Sequence, residues 1–187
     1  MGVSTISLGL GLGGGKSATS SGTAGGGGAF SNTLSSSFNL DKLQTTYNFT
    51  SATTFTVSVW LKPDQIYIGQ GQFREQSVSA SAILDDAWHN LILTVNGTTT
   101  NGVNLYLDGN TTPVVSVTST QSITAGTAPL FFGTGWSSFY DYLGLMDEVA
   151  IWETVLSTSD IANIGGGIPT DLSSYNPVGW WRFGDGA

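Results

Sequence analysis

The chain has 187 residues, 10% of them charged, with 5 basic against 13 acidic side chains and a net charge of -8. Five cations cannot neutralise a phosphate track, which argues against nucleic acid as a partner, and a chain with no cysteine and one histidine has no usual His/Cys zinc site, disulfide or thiol nucleophile. No apolar run approaches the roughly 20 residues that span a bilayer, and the start lacks the basic, then unbroken apolar, pattern of a signal peptide, so no membrane insertion is expected.

Composition shifts near residue 30, dividing the chain into a Gly-rich N-terminal arm over 1–29 and a folded domain over 30–187. The arm carries a single charge, Lys16. In it Ile6, Leu8, Leu10 and Leu12 alternate with Ser7, Gly9, Gly11 and Gly13, so one face is aliphatic and the other nearly bare backbone. Such a segment is either a linker or a strand added along another subunit, its glycines allowing close backbone approach. On the second reading those four aliphatic residues bind a partner. Gly9, Gly11 and Gly14 mimic a dinucleotide fingerprint, and Gly15-Lys16-Ser17 mimics the end of a P-loop. No βαβ unit surrounds either pattern to offer a helix N-terminus to phosphate.

From Leu34 onward short alternating runs are separated by turn residues. Phe55, Val57, Val59 and Leu61 share one face of a strand closed by Pro63-Asp64. Leu91, Leu93 and Val95 mark the next strand, ending at Asn96-Gly97. Val103, Leu105 and Leu107 mark another, ending at Asp108-Gly109-Asn110. Val115 and Val117, then Pro129 to Phe132, make short runs. Leu143, Leu145, Val149 and Ile151 belong to a long strand, with Asp147 on the same parity. The last run, Val178 to Phe183, is aromatic. One helix is signalled: Ser157 and Asp160 have capping-box spacing, Leu156 and Ile161 staple spacing, and Gly165 to Gly167 stop it. These elements predict an all-β chain, an antiparallel two-sheet jelly-roll sandwich with one short helix.

Four segments resemble the laminin-G-like branch of the concanavalin A-like lectin/glucanase superfamily. They are Phe55 to Pro63; Asp86-Ala87-Trp88-His89-Asn90-Leu91 with Leu105-Tyr106-Leu107-Asp108-Gly109; Gly144 to Trp152 with Leu156 to Ile161; and Gly179-Trp180-Trp181-Arg182-Phe183. The resemblance spans about residues 34 to 185 in the family's order. The leader running into Ala29-Phe30-Ser31-Asn32-Thr33 is similar to laminin-G-like proteins of tailed, particularly marine, phages, which implies a capsid decoration or head-fibre protein.

Hydrolysis of a glycan needs two carboxylates flanking the scissile bond, about 5 to 9.5 Å apart. Asp147 and Glu148 are adjacent and face opposite sides of a regular strand, as do Glu148 and Glu153, so no such pair is expected. Asp147 would satisfy nearby amides and Glu148 would be solvated. His89 lacks a Gly-x-Ser-x-Gly nucleophile elbow elsewhere in the chain, and the resemblance places it on a structural strand, facing out. The resemblance also implies a calcium site at the sandwich rim, for which Asp85, Asp86, Asp108 and Asp141 are the candidate ligands. The competing reading is that these aspartates cap turns and that no cofactor is bound. The stretch Gly135 to Tyr142 carries four aromatics on a loop, and Trp136, Tyr140, Asp141 and Tyr142 are the candidate carbohydrate contacts. Sequons at Asn48, Asn96 and Asn110 are expected by chance in a Thr-rich chain.

The resulting expectation is a non-enzymatic virion protein at the particle surface, anchored by its arm to capsid or other virion proteins. It would be a homo-oligomer able to bind host-surface glycans. The alternatives are a free carbohydrate-binding lectin, extracellular by a route without a signal peptide, and a glycan hydrolase.

Overall fold

The computed structural model describes residues 7–8, 36–39, 43–45, 47, 53–65, 82–118, 131–134 and 142–183. The strands among them are β1 (Ser7–Leu8), β2 (Ser36–Asn39), β3 (Leu43–Gln44), β4 (Thr54–Gln65) and β5 (His89–Asn96). They continue as β6 (Val103–Leu107), β7 (Val115–Val117), β8 (Phe131–Thr134), β9 (Leu143–Trp152) and β10 (Gly179–Trp181), with the helix α1 (Thr158–Gly165) between β9 and β10. The larger sheet is antiparallel, in the order β10-β9-β4-β5-β6-β7, with β2 also on β9. On that edge of β9, β2 covers Leu143 to Met146 and β10 covers Val149 to Ile151. The short strands β1, β3 and β8 pair with one another.

Period-two alternation sends each strand's side chains to two faces. On one face Met146, Val149 and Ile151 pack with Phe132 of β8, joined by Val57, Val59 and Trp181. Phe55, Val95 and Val103 extend this layer. Trp181 meets Phe132 edge-on at 4.9 Å and Tyr47 at 6.2 Å, closing the layer beside β10. On the other face Ile92, Tyr106, Ala150 and Trp152 receive Ile161 and Ile164 of α1 and Leu172 after it. The helix begins as its sequence predicts: the Ser157 side chain accepts from the Asp160 amide, and the Asp160 side chain answers the Ser157 amide.

Three expectations need correction. First, β4 runs through Pro63 and Asp64 to Gln65. Its ladder to β5 ends at Leu61 opposite His89, whereas β9 pairs with it as far as Gln65. Pro63 thus lies beyond β5, where a missing amide hydrogen interrupts no ladder on that side.

Second, Asp147 does not share parity with Val149 and Ile151. Ser58 faces Ala150 and Trp60 faces Asp147, so Val59 alone stands against Glu148 and Val149. This is a β-bulge, and Glu148 occupies its left-handed position with φ +47. The extra residue re-phases the strand, putting Asp147 opposite Trp60 and on the helix-side face.

Third, Glu148 is not solvated: it is 1% exposed.

Candidate functional site

One end of the larger sheet collects the residues that the sequence singled out as candidate ligands. There β4 finishes, β5 begins, β6 finishes and β9 begins, since Leu61 pairs with both His89 and Met146 and Leu107 with Leu91. The loop over 82–88 enters β5, the turn after β6 leaves, and the loop ending at Tyr142 enters β9.

The connection from β6 to β7 opens with a tight turn over Leu107 to Asn110 that has the φ signs of type I′. Asp108 and Gly109 both adopt positive φ, +50 and +69, and the Asn110 amide donates to the Leu107 carbonyl at 3.0 Å. Asp tolerates this left-handed region better than most residues. The Asp108 carboxylate faces β5: Oδ1 accepts from the Asn90 amide at 2.9 Å, and Oδ2 lies 2.9 Å from Nδ1 of His89. On the far side of the ring, Nε2 is 3.0 Å from Oδ1 of Asp85, which also accepts from the Ala87 amide at 2.9 Å.

His89 is therefore 7% exposed and held between two carboxylates, a correction to the outward-facing residue expected. Ionised carboxylates only accept hydrogen bonds, so both contacts are hydrogen bonds only while both ring nitrogens carry protons, that is, while the ring is an imidazolium. Burial by itself lowers the His89 pKa; hydrogen bonds and charge from Asp108 and Asp85 outweigh it, and the net value lies above the ordinary 6.5. The same contact, with help from the Ala87 amide, holds the exposed Asp85 below the usual carboxylate value of 3.8. Asp86, the third candidate ligand in this region, is paired instead with Lys62 Nζ at 2.7 Å. A calcium ion needs six to eight oxygens. Here Asp85 and Asp108 converge on the His89 ring, and Asp86 faces the Lys62 ammonium. Asp141 lies outside the described residues.

Of the aromatic segment, Tyr142 precedes β9 at the same end. Tyr142 is half-buried and donates its hydroxyl to the Leu145 carbonyl at 2.7 Å. Burial pushes its phenol far above the ordinary tyrosine value, with the Asp64 charge adding to the rise. Trp136 and Tyr140 lie outside the described residues. In the arm, Ile6, Leu10 and Leu12 also lie outside them, while Leu8 stands in β1, opposite Leu43 and Phe132 of the same chain.

The carboxylates nearest to a hydrolase pair, Asp147 and Glu148, are brought to one face by the bulge, contrary to the expectation of opposite faces. They are 3% and 1% exposed. Asp147 Oδ1 accepts from the Glu148 amide at 2.7 Å. Glu148 accepts from Trp180 Nε1, and from Arg182 Nε at 3.1 Å. The Arg182 guanidinium also lies 5.3 Å from the centre of the Trp180 ring, within cation–π range. Glu153 accepts from the Tyr47 hydroxyl at 3.1 Å.

Sequence reasoning missed the Asp85–His89–Asp108 arrangement. The available signals were an acid four residues before the lone histidine and an Asp-Gly turn one hairpin later; neither spacing announces contact by itself.

A laminin-G-type sequence model described as Concanavalin A-like lectin/glucanases superfamily matches residues 65–162. No curated protein matches the chain. Domain 4 of AbnA, a GH43 extracellular arabinanase from Geobacillus stearothermophilus solved with arabinotriose, is similar in structure, with TM-score 0.53 and 18% identity over 86% of each chain. A Bacteroides ovatus protein provisionally assigned to carbohydrate binding gives TM-score 0.53 and 12% identity, covering 79% of this chain and 50% of its own. The binding domain of Paraclostridial Mosquitocidal Protein 1 gives TM-score 0.53 and 16% identity, covering 71% of this chain and 43% of its own. The chain thus spans half or less of the last two. At such identities the likeness speaks for the fold. With the family match over more than half its length, the chain belongs to the Concanavalin A-like lectin/glucanases superfamily.

Proposed function

We propose that this chain is a non-catalytic, glycan-binding β-sandwich, held in a larger assembly by its Gly-rich N-terminal arm. The observation that carries the non-catalytic reading is the withdrawal of the acid pair. Glu148, at 1% exposure, already accepts from Trp180 and Arg182, and a carboxylate so enclosed meets no glycosidic oxygen. Glycan as the ligand is supported by the arabinotriose-bound arabinanase domain that shares the fold, and by the aromatic segment 135–142 entering the rim at Tyr142. Trp136 and Tyr140 would supply ring faces to a sugar and Asp141 a polar group to its hydroxyls, with Tyr142, its hydroxyl held by the Leu145 carbonyl, as the fixed end of the segment. We infer no cofactor in this reading, because the His89 ring nitrogens already partner Asp85 and Asp108.

The setting we favour is a virion surface, as a capsid decoration or head fibre displaying the domain to host glycans. With Leu8 paired to β3 and β8 of its own chain, Ile6, Leu10 and Leu12 would make the contacts to a capsid protein or to a second copy. The alternating arm and its likeness to phage laminin-G-like leaders support this.

Titration of the full chain with arabino-oligosaccharides and a wider glycan panel tests the first part. Trp136→Ala is expected to weaken the preferred ligand about tenfold, roughly 1.4 kcal/mol, with no hydrolysis product in either protein. A panel without any binder, or release of reducing sugar, would refute the reading. Light scattering tests the arm. The full chain should form oligomers, and the chain with Ile6, Leu10 and Leu12 all changed to Ser should be monomeric. Equal masses would remove the self-assembly role.

A further inference from the structure

The bond pattern around His89 has a mechanical consequence. Loop 82–88 is joined to the turn after β6 through the imidazole ring, with Nε2 on Asp85 at 3.0 Å and Nδ1 on Asp108 at 2.9 Å. The loop is also anchored by Ile83, 1% exposed, and by Asp86 on Lys62 of β4 at 2.7 Å. The charged groups around the ring are therefore Asp85 and Asp86 of the entering loop, Asp108 of the turn and Lys62 of β4. A neutral imidazole has one N–H and one lone pair. It can keep only one of the two carboxylates, and the other then faces a lone pair across about 3 Å.

We propose that His89 is a pH-sensitive strap: as an imidazolium it ties Asp85 of the entering loop to Asp108 of the turn, and loss of one proton frees the Asp85 carboxylate from the ring while Ile83 and Asp86 keep the loop in place. Asp108 keeps a second bond, to the Asn90 amide, and Asp85 keeps only its local one to Ala87, so the Asp85 side is the one that lets go. The loop borders the rim assigned above to glycan, and only that assignment rests on the proposed function.

The sign follows from the two titrations. The His89 value is raised, so its contribution to stability is complete below the unfolded value of 6.5 and is lost as pH rises through the folded value. The Asp85 value is lowered, so its contribution is present above 3.8 and is lost as pH falls through the depressed value. The strap is therefore closed between about pH 4 and 6.5 and opens on the alkaline side.

With one histidine in the chain, its imidazole NMR signals report on this group alone. The full-length protein should titrate with a midpoint above 6.5, and Asp108→Asn, which keeps an acceptor for the Asn90 amide, should lower that midpoint. Between pH 6 and 9 the urea midpoint of the wild type should fall, while that of His89→Gln should stay nearly flat. A histidine midpoint at or below 6.5, or parallel pH slopes in wild type and His89→Gln, would overturn the strap. None of these readouts needs a sugar, so a failure of glycan binding and a failure of the strap are separate results.

Discussion

Replacing Glu148 by alanine is expected to destabilise the domain by about 3 kcal/mol, at the low end of the 3–5 kcal/mol for breaking a buried ion pair. The low end applies because Arg182 keeps 20% of its side chain exposed, and water partly replaces the lost carboxylate. The Trp180 indole N–H loses its acceptor in the same step. Backbone conformation makes the prediction sharper. Glu148 sits at φ +47 in the bulge, where a side chain costs about 1–2 kcal/mol that glycine does not pay. Glu148→Gly removes the same carboxylate and should nevertheless be about 1 kcal/mol more stable than Glu148→Ala. Urea denaturation of the three proteins measures both differences. If Glu148→Ala lost less than about 1 kcal/mol, a stabilising role for the ion pair would be untenable.

The second large effect lies where α1 meets the turn after β6. A Cβ on Gly165 would fall 2.6 Å from the Gly109 nitrogen, 2.7 Å from Asn90 Oδ1 and 2.9 Å from Gly109 Cα. Two of these are backbone atoms and the third belongs to a fully buried side chain, so none yields easily. Helix propensity alone would favour alanine at the last helical position by up to about 1 kcal/mol. Overpacking against rigid neighbours costs about 1–3 kcal/mol or more, and here it should win. Gly165→Ala is expected to lose a net 2 kcal/mol or so, a fall in Tm of about 4–8 °C for a chain of this size. A thermal melt showing an unchanged or higher Tm would mean that the helix end has room to shift. The contact also couples parts of the rim, because Gly109 follows Asp108 directly. Gly165→Ala should therefore lower the His89 titration midpoint as well, by disturbing the carboxylate that holds it.

Much of the frame was legible in the residues. Period-two alternation in Phe55 to Leu61, Leu91 to Val95 and Val103 to Leu107 placed β4, β5 and β6, because the pleat of a strand is a property of neighbouring residues. Ser157, Asp160 and the glycines from Gly165 bounded α1 for a similar reason, since capping bonds span three residues. The family could be read in the same way, from the Trp-His strand, the Asp-Gly turn and the Asp-Glu-Val strand in their order.

Tertiary pairing decided the rest. Asp147 and Glu148 looked like residues on opposite faces until β4 set one residue, Val59, against two of β9; a bulge exists only as a mismatch between strands. Glu148 is buried because Trp180 and Arg182, 32 and 34 residues away, supply its donors. The His89 pKa is raised because Asp108, 19 residues on, is turned toward it by a positive-φ turn. Local periodicity reports which backbone state each segment prefers. Charge, burial and hydrogen-bond partners depend on which segments meet, and that is a property of the assembled sheet.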